Sequence, residues 1–98
     1  LAFYLNFKWS QQKELVKLSL DHVVVERGRT QKEYTWKEFR TFTAFEVTKN
    51  NKNEIKLGFK SKGQEVAIGD FLNNEDKEDL KFEISKIIHH LNDLRPAG

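Results

Sequence analysis

Three histidines, fifteen acidic side chains and no cysteine are the raw material for chemistry in this 98-residue chain. His89 and His90 are adjacent, so on a helix their rings diverge by about 100° and cannot converge on one ion. No His-x-x-x-His spacing exists, and His22 stands alone, so no metal ligand set is expected. The absence of cysteine removes disulfides, thiolate nucleophiles and sulfur-ligated metals without selecting a compartment. Asp70, beside Gly69 at a strand-to-helix junction, is the one carboxylate placed where sites commonly occur. Glu75, Asp76, Glu78 and Asp79 crowd a helix start and read as charge that favours the helix dipole. No Gly-x-Ser-x-Gly elbow and no glycine-rich phosphate loop is present. The residues therefore predict no catalytic site, no metal, no cofactor and no enzyme.

Cationic side chains offer more. Arg27, Arg29 and Lys32 flank one hairpin, and Lys49 and Lys52 lie on a second loop. If the two loops share an edge, they form a cationic lip suited to anionic lipid headgroups at ~1 kcal/mol per charge. Ordinary solvated loop decoration is the plainer reading. Net charge is only +2, and residues 1–49 carry nine Lys/Arg against six Asp/Glu. That is too thin a stripe for nucleic acid, which is not expected as a partner.

The elements that must hold these residues follow from periodicity. Val16, Leu18 and Leu20 alternate with Leu15, Lys17 and Ser19, as in a half-buried strand. Asp21-His22 turns the chain into the β-branched run Val23-Val24-Val25-Glu26, and Arg27-Gly28-Arg29 makes a hairpin tip. Glu33 to Trp36 reads as a third strand, with Lys37-Glu38 as a kink. Phe39 to Val47 reads as one strand whose imperfect alternation implies either a strongly bent sheet or a bulge. Ile55, Leu57 and Phe59 give the cleanest two-faced strand, which turns at Ser61 to Gln64 and returns through Val66-Ala67-Ile68. Asn73 or Asn74 caps a helix whose stripe is Leu80, Ile84, Ile87, Ile88 and Leu91. The expected fold is α+β: an antiparallel, strongly bent sheet of about six strands packed against one C-terminal helix, with a solid interior. No linker divides the chain, so residues 14–94 form one domain and 95–98 a tail.

Residues 1–13 are different. Leu1 to Trp9 is apolar and aromatic, then breaks into Ser10-Gln11-Gln12-Lys13. Tyr4, Lys8 and Trp9 match the composition of a membrane-interface anchor, where amphipathic rings and lysines settle at the headgroups. A first strand or packed arm fits the same residues, and composition leaves both open. No stretch reaches the ~20 apolar residues of a membrane span. The chain contains no methionine, as expected of a processed or excised domain.

Several segments in order carry a family resemblance: Glu14-Leu15-Val16-Lys17-Leu18, Val23 to Gly28, Ile55-Lys56-Leu57, and Glu65-Val66-Ala67-Ile68-Gly69-Asp70-Phe71-Leu72 followed by the acidic helix. Together they resemble the soluble tail of a bacterial integral-membrane family named domain of unknown function 2244, across about residues 1–93. The resemblance implies two transmembrane helices upstream, with Leu1 to Leu5 ending the second, and the remainder at the cytoplasmic side of a bacterial inner membrane. It implies a likeness to pleckstrin-homology-like domains in fold, which licenses no function. It also implies support of a membrane complex of respiratory kind, and transfers no catalytic residue. The expected role is a non-enzymatic interaction domain with a membrane-protein partner. The alternative is a pleckstrin-homology-like module that binds anionic headgroups or a small ligand through Arg27, Arg29 and Lys32.

Overall fold

Strict alternation builds the first sheet. The computed structural model describes residues 2–9, 12–28 and 32–94. Strands β1 (Ala2–Trp9), β2 (Gln12–Ser19), β3 (His22–Gly28) and β4 (Lys32–Phe39) form an antiparallel sheet in chain order. A second antiparallel sheet holds β5 (Thr43–Lys49), β6 (Ile55–Ser61) and β7 (Gln64–Ile68), and helix α1 (Asn74–Asp93) follows. The fold class is the expected α+β, but among the described residues the strands number seven in two sheets rather than about six in one.

Two corrections account for the difference. Ala2 to Leu5 does not end a helix: Phe3, Leu5 and Phe7 pack on the core while Tyr4, Asn6 and Lys8 face solvent, and β1 pairs with β2 along its whole length. Period two overrides the helical reading because the alternate face finds a sheet to cover. Phe39 to Val47 is not one strand either. A 3-10 turn over Arg40–Phe42 separates β4 from β5, and the Arg40 amide donates to the Asp21 carbonyl at 2.7 Å. The broken alternation marks the passage between sheets, while Lys37 and Glu38 remain in β4.

The core fills the space between the two sheets and the helix. Val16, Leu18, Val23, Val25 and Trp36 come from the first sheet, and Ile55, Leu57, Phe59, Val66 and Ile68 from the second. Trp36 stacks on Phe59 at 18° with ring centroids 6.4 Å apart, joining the sheets through one aromatic pair. The helix lays Leu80, Ile84, Ile87 and Leu91 across them, with Ile88 partly buried beside. Its start is tied twice. Asn73 accepts the Asp76 amide at 2.8 Å as N-cap, and Asn74 reaches back to β6, accepting from the Ile55 amide at 3.1 Å. Lys77, buried one turn on, donates its ammonium to the Ile55 carbonyl at 2.8 Å.

A polar latch crosses between sheets. Glu14 and Arg27 are cross-strand neighbours, and the buried Glu14 carboxylate meets the Arg27 Nε at 2.6 Å. Its other oxygen accepts the Gly69 amide at 2.6 Å, while Arg27 Nη2 donates to the Ala67 carbonyl. Nearby, β6 and β7 approach so closely that a Cβ on Gly58 would lie 2.7 Å from the Val66 carbonyl oxygen. Gly58→Ala is expected to displace β7 and destabilise the domain by roughly 1–3 kcal/mol, read as a lower urea midpoint.

Candidate functional site

Register decides what meets at each end of the molecule. Ala2 lies opposite Ser19, the Leu20-Asp21 turn follows, and His22 lies opposite Phe39, which leads into the 40–42 turn. Thr43 pairs with Ser61, so the Lys62-Gly63 hairpin joins the same end. The last turns of α1 close it. Phe3 meets His90 edge-on at 5.8 Å, and Arg40 Nη1 donates to Asn92 Oδ1 at 2.6 Å. The β5–β6 loop, the helix start and the Glu14 latch gather at the opposite end.

At the first end the 40–42 turn sorts side chains by character. Phe39 and Phe42 point outward, 53% and 57% exposed, with rings edge-to-face at 6.4 Å. His22 lies against Phe39 at 4.9 Å, and the Lys62 ammonium sits 5.2 Å from the Phe42 ring centroid. Lys62 and Gly63 both have positive φ, 53° and 80°, the pattern of a tight hairpin that fixes where the ammonium stands. Arg40 turns the other way. It is buried, with Nε donating to the Leu20 carbonyl at 3.1 Å and Nη1 held by Asn92.

Behind the turn lies an open cleft of about 480 Å³. One side is apolar, made by Val23, Phe45, Phe59 and Ile88; the other carries Arg40, Thr41, Thr43, Ser85, His89 and Asn92. The cleft opens to solvent at Thr41, Ser85 and His89 and lies beside the packed core.

Of the cationic residues expected to act together, Arg27 in the latch and Lys49 and Lys52 by the β5–β6 loop lie at the same end of the molecule. Arg27 is drawn into the latch, partly exposed, and lies over Tyr34 at 5.3 Å. Arg29 lies outside the described residues, as do the side chains of Lys32 and Trp9. Lys49 and Lys52 are exposed near the helix start. There the Glu78 carboxyl is held below its ordinary range, chiefly by its hydrogen bond to Lys81 and secondarily by charges that include Lys49. Tyr4 is exposed under the Lys17 ammonium at 5.7 Å, and Lys8 faces solvent further along β1, about 13 Å on at strand spacing. Tyr4 and Lys8 thus share the solvent face of β1. His89 approaches Asp93 at 3.6 Å while His90 turns to Phe3, the divergence expected of adjacent helical positions. Asp70 is exposed, and among the described residues no three acids or imidazoles are placed to hold a metal.

Sequence reasoning missed Phe39, Phe42, Lys62, Arg40 and Glu14. One signal was available for the phenylalanines: three apart in a supposed strand, they fall on opposite faces, so a single buried face cannot cover both.

Comparison with curated proteins gives no match, and neither does comparison with solved structures. No helix among the described residues is long and apolar enough to cross a membrane. The family described as Integral membrane protein (DUF2244) matches residues 1–88. The match runs from β1 through most of α1 and so spans both sheets, the latch and the aromatic end. With 88 of 98 residues covered, this chain belongs to the DUF2244 family of integral membrane proteins.

Proposed function

We propose that this chain is a non-enzymatic interaction domain held at the cytoplasmic face of a bacterial inner membrane. Its Phe39–Phe42–Lys62 end turns to the bilayer, and its opposite end turns to a membrane-protein partner. The carrying observation is the exposed aromatic pair with its lysine at the same end as Ala2. Transmembrane helices joined ahead of Ala2 would deliver the chain to the membrane at that end. Aromatic rings with a flanking cation suit the headgroup layer, where one part of the side chain is apolar and its neighbour is wet. The four-plus-three strand arrangement closed by a terminal helix supports the pleckstrin-homology-like likeness in fold.

The test uses the chain itself, which closes its own core. Sedimentation with phosphatidylglycerol–phosphatidylcholine vesicles is expected to fall at least tenfold for the double variant Phe39→Ser, Phe42→Ser. Each ring withdraws apolar area worth ~1.5 kcal/mol or more from water, and 1.4 kcal/mol is a factor of ten. Lys52→Glu should leave sedimentation unchanged. The reverse pattern would place the lipid contact on the basic loops and favour the headgroup-binding alternative.

A further inference from the structure

We propose that the outer edge of β1 and the groove beside it take up an extended segment of the partner protein with Lys or Arg at every second position. This rests on the reading that the latch end faces a membrane-protein partner, and it names the chemistry such a partner presents.

Backbone comes first. β1 pairs with β2 over eight positions without a register shift, and among the described residues no strand pairs with its other margin. Alternate amides and carbonyls of an edge strand point away from its sheet, so a long regular margin is a template for one more strand. No proline interrupts β1, and its one lysine, Lys8, lies near its end.

The groove supplies the side-chain sites. It is an open furrow of about 270 Å³ between β1 and the first half of α1, floored by Leu5, Phe7, Leu72 and Leu80. Phe7 pairs with Glu14, so the furrow lies toward the latch end. Leu5, Phe7 and Leu72 keep part of their surface exposed, and a further side chain can cover them. Asp76, Asp79 and Glu83 stand along the helical rim. Spaced three and four apart, they share one helix face. The dipole favours a carboxylate in the first turn only, so it does not account for Asp79 or Glu83. Asp76 and Asp79 make no ion pair among the described residues, and Glu83 has the exposed Lys86 at 3.3 Å.

Spacing selects the occupant. Alternate residues of an added strand lie about 6.7 Å apart on the groove side, and Asp79 and Glu83 are about 6 Å apart along the helix axis. Successive Lys or Arg side chains can lay their stems over Leu5 and Phe7 and bring their cationic heads to the rim. Cytoplasmic loops of membrane proteins are rich in these residues. A second copy of the chain is less suited. Its β1 offers Lys8 alone, and antiparallel pairing of two β1 strands would send their Ala2 ends in opposite directions, away from one shared membrane plane.

The experiment titrates the chain with an end-blocked octapeptide of alternating arginine and threonine, followed by amide chemical shifts and hydrogen exchange. Saturable shifts are expected from Tyr4 to Lys8 and from Asp76 to Glu83, with slowed exchange of β1 amides. A block peptide, four arginines followed by four threonines, has equal charge and should bind about tenfold more weakly, because it cannot set an arginine at every second position. The double variant Asp79→Lys, Glu83→Gln should weaken the alternating peptide about tenfold while staying folded. Glu65→Lys, an exposed charge change on β7, should leave binding unchanged.

No saturable shift, shifts confined to another surface, or equal binding by the block peptide or by the folded double variant would overturn strand addition. Self-association of the free chain that protects the same β1 amides would also overturn it, by giving the groove to a second copy. Vesicle sedimentation keeps the membrane reading separate. A failed titration while Phe39→Ser, Phe42→Ser still lowers sedimentation sinks the strand addition alone.

Discussion

Ile84→Asp is expected to leave the chain unfolded, with a collapsed amide spectrum and loss of cooperative melting. Ile84 is 0% exposed and sits midway along the stripe that α1 lays over both sheets. Removing a buried aliphatic side chain of this size costs about 2–5 kcal/mol through lost transfer energy and cavity formation. Placing a carboxylate there adds an effective desolvation penalty of several kcal/mol. The sum reaches the ~5–15 kcal/mol that a domain of this size has in total. Phe82→Asp supplies the control. Phe82 lies on the same helix but is 63% exposed, and its replacement should cost within about 0.5 kcal/mol. A well-dispersed spectrum from Ile84→Asp would show that the helix is not the element that closes the core.

The second large effect belongs to Glu14→Ala, which is expected to cost about 3 kcal/mol and lower the melting temperature by roughly 12–24 °C. Three partners lose out at once. The Arg27 guanidinium loses its ion partner at 2.6 Å, and the Gly69 amide loses its acceptor at 2.6 Å. The Ala67 carbonyl keeps its donor only while Arg27 holds its position. A buried amide without an acceptor costs ~1–3 kcal/mol by itself. Arg27 is partly exposed, so water recovers some of its charge solvation and the loss stays at the low end for a broken buried pair. Glu14→Gln should cost less, because an amide oxygen still serves Gly69. A double-mutant cycle with Arg27→Met should return at least ~1 kcal/mol of coupling, and additive losses would remove the latch from the account.

Where one face was buried, the sequence was a sufficient guide. Val16 and Leu18, Ile55, Leu57 and Phe59, and the helical stripe from Leu80 to Leu91 all lie on the face that periodicity assigned them. Asn73 is the cap, while Asn74, its competitor by type, turns its side-chain oxygen to the Ile55 amide of β6. What stayed hidden depended on contacts between segments far apart in the chain. Glu14 read as a strand's polar start because nothing local shows that Gly69, 55 positions away, needs an acceptor. Arg27 read as a hairpin cation because the pairing register that sets it beside Glu14 is a property of two strands together. The 40–42 turn was masked by strand-forming residues on both sides, since Phe and Thr favour extended backbone whether or not the chain changes sheets. Arg40 was the local clue that the passage needed something other than a strand. It is a buried arginine amid aromatic and threonine residues, and it becomes intelligible only with Leu20, Asp21 and Asn92 around it.

Among the described residues, strand β1 sits at the margin of its sheet and pairs with β2 alone. A tug delivered at Ala2 therefore meets the Ala2–Ser19 rung first, then each rung in succession down to Trp9 and Gln12. Such peeling yields at lower force than shearing all rungs together, and Phe3, Leu5 and Phe7 would leave the core one after another. The domain is thus mechanically softest at its leading strand, and tension there would uncover the flank of α1 before the second sheet felt any load.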